Sequence, residues 1–292
     1  MVINGWLTVS PLSGFDNLFL IIMAIRFGLI GGGVMGEALL SRLLVQKVYA
    51  PHEVLVSEPS GERRDFLATT YQVAVTGNNL ETLGATEGLL LAVKPQVLEQ
   101  VVEDLPEQAR CGCSALVLSI LAGVPLARLE GAFPQQAVIR VMPNTPAMVG
   151  AGMTAIAPGS KTHPEHLALA EQIFSVVGQV VQVPETQMDA VTGLSGSGPA
   201  FVALMIEALS DGGVAAGLSR AIAQKLALQT VLGTAQLMQE KGLHPAVLKD
   251  QVTSPAGTTI AGVALLESKG FRSAVIEAVK AAYTRSQELG GS

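Results

Sequence analysis

The sequence is poor in charge, in aromatic rings and in cysteine, and each shortage closes off a class of protein. Charged residues make up 14% of the 292 positions, and Lys plus Arg number 18 against 24 Asp plus Glu, a net charge of −6. That balance offers no basic footprint for a polyanion, so no nucleic-acid partner is expected. Aromatics are 4% while hydrophobic residues reach 49%, so the cores must be filled by Ala, Val, Leu and Ile. Such filling belongs to α/β sheets and closely packed helices, not to aromatic-rich β-sandwiches. The two cysteines, Cys111 and Cys113, are too close together for a useful staple and too few for a disulfide framework. Both are expected to be buried thiols of a cytoplasmic protein.

Long hydrophobic runs are scarce as well. NLFLIIMAI, residues 17–25, has the look of a signal-peptide core, but no Lys or Arg precedes it and no small-residue cleavage site follows before Arg26. Met23 stands just before the first strand, so residues 1–23 are expected to be an extension or a mis-assigned start. Elsewhere no stretch reaches membrane-spanning length without Pro, paired Gly or charge, and a soluble chain with no membrane partner is expected.

What is present is an alternation. Short β-branched runs, IRFGLI, EVLVSE, LLLAV, ALVLSI and AVIRV, then MTAIA and QVVQV, are interleaved with helical patterns at 36–47, 61–70 and 95–105. This spacing predicts βαβ units and a mostly parallel sheet over residues 24–184. After Pro184 the strands stop, and 185–192, 199–217, 219–241, 245–251, 259–269 and 272–289 read as helices of a second domain, 185–292. In 219–241 the apolar positions Ile222, Leu226, Val231, Leu237 and Met238 cover much of the circumference. Such a helix is buried on several sides, by a tight bundle or by a second subunit.

IRFGLIGGGVMGEALL sets Gly31, Gly33 and Gly36 in a G-x-G-x-x-G pattern that follows a strand and opens a helix. The spacing allows a tight turn, a close approach of pyrophosphate to the backbone and close packing of helix on strand. The first helical amides, at Val34 and Met35, are placed to bind phosphate. A Rossmann-type dinucleotide domain is therefore expected. The second strand ends in Ser57 and Glu58; the acid suits a ribose diol and NAD(H), whereas Ser57, Ser60, Arg63 and Arg64 suit a 2′-phosphate. The residues leave NADPH and NADH both open.

In an open parallel sheet the ligand lies past the carboxyl ends of the strands, so Val93, Lys94, Pro95, Ala122, Gly123 and Asn144 should face the cofactor. Asn144 stands between two prolines and could hold a carboxamide or a water; Lys94 could donate a proton or anchor its loop. TGLSGSGPAF, residues 192–201, reads as a glycine-serine turn with Pro199 at a helix start, and QVTSPAGTTIAG, residues 251–262, as a second helix start whose amides suit a carboxylate. There Thr258 is expected to cap the helix and Thr259 to turn its hydroxyl to the substrate. The pair His163 and His166 has no third ligand, and no metal is expected.

The blocks GLIGGGVMGEAL, LAVKPQ, SILAGV, RVMPNTPA, TGLSGSGPAF, LKDQVTSPAGTTIAGVALLE and GFRSAVIEAV run in this order from about Ala24 to Leu289. Together they resemble the pyrroline-5-carboxylate reductases, which make proline by reducing a cyclic imine, and S-P-A-G-T-T is the most specific of them. The resemblance implies a Rossmann-type domain, a helical domain interlocked with that of a second subunit, larger assemblies of such dimers, and a site between the nicotinamide and the partner's helices. It implies NADPH, with NADH as an alternative. It puts Thr259 beside the substrate nitrogen and Ser195, Gly196, Ser197 and Gly198 in the substrate turn, with Ala256, Gly257 and Thr258 around the carboxylate. Hydride transfer to an imine asks for positioning and a hydrogen bond at nitrogen, not for a nucleophile or a metal. Two rivals are weaker. A β-hydroxyacid dehydrogenase would need a catalytic lysine on a second-domain helix, and Lys225 lacks the accompanying glycine-asparagine pattern; a dinucleotide sensor would need no substrate loops.

Overall fold

The computed structural model describes residues 25–290, so the expected extension at 1–23 lies outside the described residues. The strands are β1 (Phe27–Ile30), β2 (Val54–Ser57), β3 (Ala74–Thr76), β4 (Gly88–Leu91), β5 (Leu116–Ser119), β6 (Val138–Met142), β7 (Gly152–Pro158) and β8 (Gly178–Gln182). They form one 8-stranded sheet in the order β3-β2-β1-β4-β5-β6-β7-β8, parallel throughout except between β6 and β7. All the expected strands are there, and β3 is an addition. It is an edge strand of 3 residues, none of them buried, too short for its periodicity to show.

β1, β2, β4 and β5 are buried at every position, as parallel strands between two helical layers must be. Alternate side chains feed two separate cores: Leu118 and Leu90 join Leu39, Leu43 and Phe174 on one face, while Val117, Leu89 and Leu91 join Val101, Leu129 and Phe133 on the other. The helices of this half are α1 (Val34–Val45), α2 (Gly61–Tyr71), α3 (Leu98–Glu103), α4 (Glu107–Gly112), α5 (Leu126–Ala132) and α6 (Pro164–Ser175). At the amino ends of the strands, Arg26 bridges Glu53 at 2.8 Å and Glu87 at 2.6 Å and lies over the Tyr49 ring at 5.2 Å, pinning the entries to β1, β2 and β4 together. Cys113 is buried, and burial pushes its thiol pKa up; Cys111 is exposed on α4, so the expectation of two buried thiols fails there. α4 buries no residue, which leaves Cys111 without cover.

The second half is helical: α7 (Met188–Val191), α8 (Gly198–Ala215), α9 (Arg220–Lys241), α10 (Pro245–Gln251), α11 (Thr258–Ser268) and α12 (Phe271–Gly290). α8 packs on α9, and α12 returns over α7. A Cβ on Gly193 would stand 2.8 Å from the Val279 carbonyl oxygen, so glycine is what lets α12 lie so close. The bundle nonetheless leaves its own apolar surface bare. α8 buries only Ser210, α9 only Ala223 and Ala227, and α11 nothing, while Leu204, Leu226, Leu232 and Leu265 are more than half exposed. A tight bundle within one chain is thus not what covers 219–241. By length and composition the run 185–215 could also cross a membrane, although Pro199, Glu207, Asp211, Gly212 and Gly213 interrupt it.

Candidate active site

The turn from β1 to α1 gives each glycine of the loop a different reason to be there. Gly31 has φ +104°, a left-handed conformation that a side chain would strain. A Cβ on Gly36 would stand 2.2 Å from the Gly31 carbonyl oxygen, so this glycine lets the helix press on the loop. Gly33, by contrast, is exposed, and a Cβ there would meet nothing within 4 Å. The space in front of Gly33 is open for a ligand, and Gly33 caps α1 without any side-chain bond, which leaves the amides of Val34 and Met35 facing that space. The loop lies at the carboxyl ends of β1 and β4, where the chain order of the strands reverses. These features fit a dinucleotide pyrophosphate.

Gly32 is clamped from both sides. Its N–H donates to Glu58 Oε2 at 3.0 Å, and its carbonyl accepts from Arg63 Nε at 2.8 Å. Arg63 also pairs with Glu37 and lies over the Phe66 ring at 4.9 Å, and Glu37 accepts from the Tyr71 hydroxyl at 2.7 Å. Burial pushes the Glu37 carboxyl up, but the hydrogen bonds from Tyr71 and Arg63 outweigh it and hold it below its ordinary value. Arg64 donates to the carbonyls of Glu58 and Pro59 at 2.7 and 2.8 Å. Arg63 therefore braces the glycine loop and Arg64 the turn after β2. Ser57, expected at the cofactor, is engaged within the chain. It is 1% exposed, and its hydroxyl donates to Asn79 Oδ1 at 2.7 Å beneath the loop.

Past the next strands, Val93, Lys94, Pro95, Ala122 and Gly123 come to the same sheet edge. Lys94 is exposed, and its ammonium group has no ion pair or hydrogen bond among the described residues. Two features here escaped the sequence reading. Gly123, with φ +77°, touches Gly290, so the end of α12 reaches the nicotinamide-side loop. Arg140, only 7% exposed, lies 3.3 Å from Glu185 and 4.0 Å from Asp189, and Asp189 accepts from Ser286 at 2.7 Å. A lone arginine in the apolar strand VIRV was the available signal.

Asn144, expected at the cofactor to hold a carboxamide or a water, makes an intrachain hydrogen bond at each end of its amide. Its Nδ2 donates to the Ser195 carbonyl at 3.1 Å, and its Oδ1 accepts from Met153 N at 2.8 Å. The expected turn and helix start at 192–201 is also revised. Thr192–Gly196 is a π-helical turn that joins α7 to α8 in one continuous run, and the Ser197 amide is taken by the Thr192 carbonyl. Single π turns inside α-helices are frequent at functional sites. Ser195, Gly196, Ser197 and Gly198 lie along it, half-buried, with Gly198 open on its Cβ side.

At α11 the cap is Gly257, not Thr258, and no side chain caps the helix. Ala256 takes φ +55° to make the turn, and Thr258 is the first helical residue. No side chain caps the leading amides, and neither threonine hydroxyl has a hydrogen bond among the described residues; Thr259 is half-buried and Thr258 exposed. α11 packs on α12, and the hydrogen bonds of 252–268 all stay in the helical half. Among the described residues of one chain, no hydrogen bond joins this helix start to the glycine loop. Two surface cavities, of about 360 and 480 Å³, lie elsewhere, one beside Glu99 and Arg128 and one beside Gln136 and His163. His166 Nδ1 accepts from His163 N at 3.0 Å, and the described residues contain no cluster of three metal-binding side chains.

Two family models match the two halves. Residues 26–123 match the coenzyme F420-dependent NADP oxidoreductase model, and residues 185–289 match the pyrroline-5-carboxylate reductase dimerisation model. A pyrroline-5-carboxylate reductase of Synechocystis sp. is 65% identical over 268 residues, covering 92% of this chain and 99% of that protein. The chain belongs to the pyrroline-5-carboxylate reductase family. Solved members of that family have the same fold. The reductase of Coxiella burnetii is 34% identical with a TM-score of 0.84, over 91% of this chain and 98% of that one. That of Plasmodium falciparum, with NADP bound, is 30% identical with a TM-score of 0.81, over 92% and 99%. The dimerisation match spans the helices whose apolar faces are bare, and it supports a homo-oligomer.

Proposed function

We propose that the chain reduces 1-pyrroline-5-carboxylate to L-proline, the last step of proline biosynthesis, with NADPH as hydride donor. The observation that carries this reading is the start of α11, where uncapped amides and an unpaired Thr259 hydroxyl meet in a family whose members reduce this imine. NADPH, when bound, would supply the hydride; the substrate is the protonated imine, whose carbon takes that hydride while the C=N pair passes to nitrogen, which retains its proton as the secondary amine, leaving NADP+. The loop Gly31–Gly36 and the amides of Val34 and Met35 hold the pyrophosphate, Glu58 stands at the adenosine ribose, and Val93, Lys94, Pro95, Ala122 and Gly123 line the nicotinamide. The amides of Thr258 and Thr259 hold the substrate carboxylate without an arginine, with Ala256 and Gly257 shaping the turn. The Thr259 hydroxyl orients the ring nitrogen, and Ser195–Gly198 wall the opposite side.

The bare faces of α8, α9 and α11 support a dimer in which one subunit's α11 completes the site on its partner's cofactor edge. The protein is read as cytoplasmic, and NADH as a second donor because Glu58 favours a ribose diol. Incubation with pyrroline-5-carboxylate and NADPH should consume one NADPH for each proline formed. Cofactor binding without proline formation would overturn the reading and point to another cyclic imine.

A further inference from the structure

Pro199 stands four residues after Ser195 in a continuous helical run, and it has no N–H to give to the Ser195 carbonyl. The donor comes instead from outside the helix, from Asn144 Nδ2 at 3.1 Å. Asn144 is held in turn by Met153 N on its Oδ1, so its amide is oriented by β7 and spans from the sheet to the helical half. Met142, two residues earlier, reaches the same turn, and a Cβ on Gly196 would stand 2.8 Å from its Cε. We infer that Asn144 is a positioning residue for the imine, which sets the Ser195–Gly198 turn against the cofactor edge by supplying the hydrogen bond that Pro199 cannot. This rests on the reading of that turn as a wall of the substrate site. The proline makes the carbonyl available, the π turn aims it at the sheet, and the asparagine fixes the distance between the two halves of the site.

The assignment separates from a cofactor contact by kinetics. Asn144→Ala should raise the KM for pyrroline-5-carboxylate and lower kcat, together by about 10- to 100-fold in kcat/KM, while the NADPH Kd from fluorescence titration stays at the wild-type value. Asn144→Asp, which keeps the acceptor for Met153 N but sets an oxygen against the carbonyl, should not rescue it. Pro199→Ala restores an N–H within the helix, so adding it to Asn144→Ala should recover part of the loss, in kinetics and in urea midpoint alike. A rise in NADPH Kd that matches the loss in kcat/KM, or strictly additive effects of the two substitutions, would overturn the assignment. Gly198→Ala tests the underlying reading separately, because its Cβ enters open space within the chain. An unchanged imine KM in that variant would remove the turn from the substrate site, while coupling between Asn144 and Pro199 in the urea midpoint would still report the hydrogen bond itself.

Discussion

Glu58 accepts the amide proton of Gly32 at 3.0 Å with one carboxylate oxygen and that of Ser60, also at 3.0 Å, with the other. A single side chain thus ties the cofactor loop to the turn after β2, and does so with a negative charge at the end where a 2′-phosphate would lie. Replacing it by glutamine keeps an acceptor and removes the charge. Glu58→Gln should raise the ratio of kcat/KM for NADPH over NADH by about tenfold, the effect of one unit charge a few ångströms away in a partly solvated site. An unchanged ratio would mean that Arg63 and Arg64 alone decide the choice.

The glycines of the loop should separate stability from binding. Gly36→Ala forces a Cβ into the Gly31 carbonyl and should cost about 1–3 kcal/mol in urea unfolding at fixed protein concentration. Gly33→Ala meets no described atom within 4 Å and should cost no more than about 1 kcal/mol, the penalty of alanine at a helix N-cap, while weakening NADPH binding.

Ala256 holds a left-handed conformation, φ +55°, in front of α11. Ala256→Gly removes the Cβ clash that this conformation imposes, at the expense of some chain entropy. A net gain of about 0.5–1 kcal/mol is expected in thermal unfolding, with activity retained.

The Arg26 bridge should show in acid. Glu53 is held below the ordinary 4.5 first by the Ala50 N–H and then by Arg26. The folded chain therefore takes up this proton less readily than the unfolded chain, and the contribution is complete above about pH 4.5 and lost as pH falls through the lower folded value. Glu53→Gln should be less stable than wild type at neutral pH and no different at the acid end of an unfolding series.

Much of this was legible in the sequence, for reasons that can be named. Strands buried on both faces, such as VLV at 54–56 and LLL at 89–91, announce themselves by composition, and the G-x-G-x-x-G loop by its position between a strand and a helix. The two threonines after Pro255 and Gly257 marked a helix start, but which residue caps it depends on backbone angles that the sequence does not display, and Gly257 took the place expected for Thr258. What the sequence did not display at Ser57 and Asn144 is their intrachain bonds: both are polar residues at or just past strand ends, and both bond to residues far along the chain, Asn79 and Ser195. The π turn was hidden because Pro199 marks a helix start as readily as it marks a carbonyl left without its donor.

The central claim is that the α11 start binds the imine and that Thr259 acts at its nitrogen. The measurement that tests it most directly is the initial rate of NADPH oxidation with pyrroline-5-carboxylate for wild type, Thr259→Ser and Thr259→Ala, with NADPH Kd measured beside it. Thr259→Ala should lose about 100-fold in kcat/KM for the imine, Thr259→Ser should keep most of it, and all three should bind NADPH alike. A Thr259→Ala enzyme that turns over the imine as well as wild type would contradict the account.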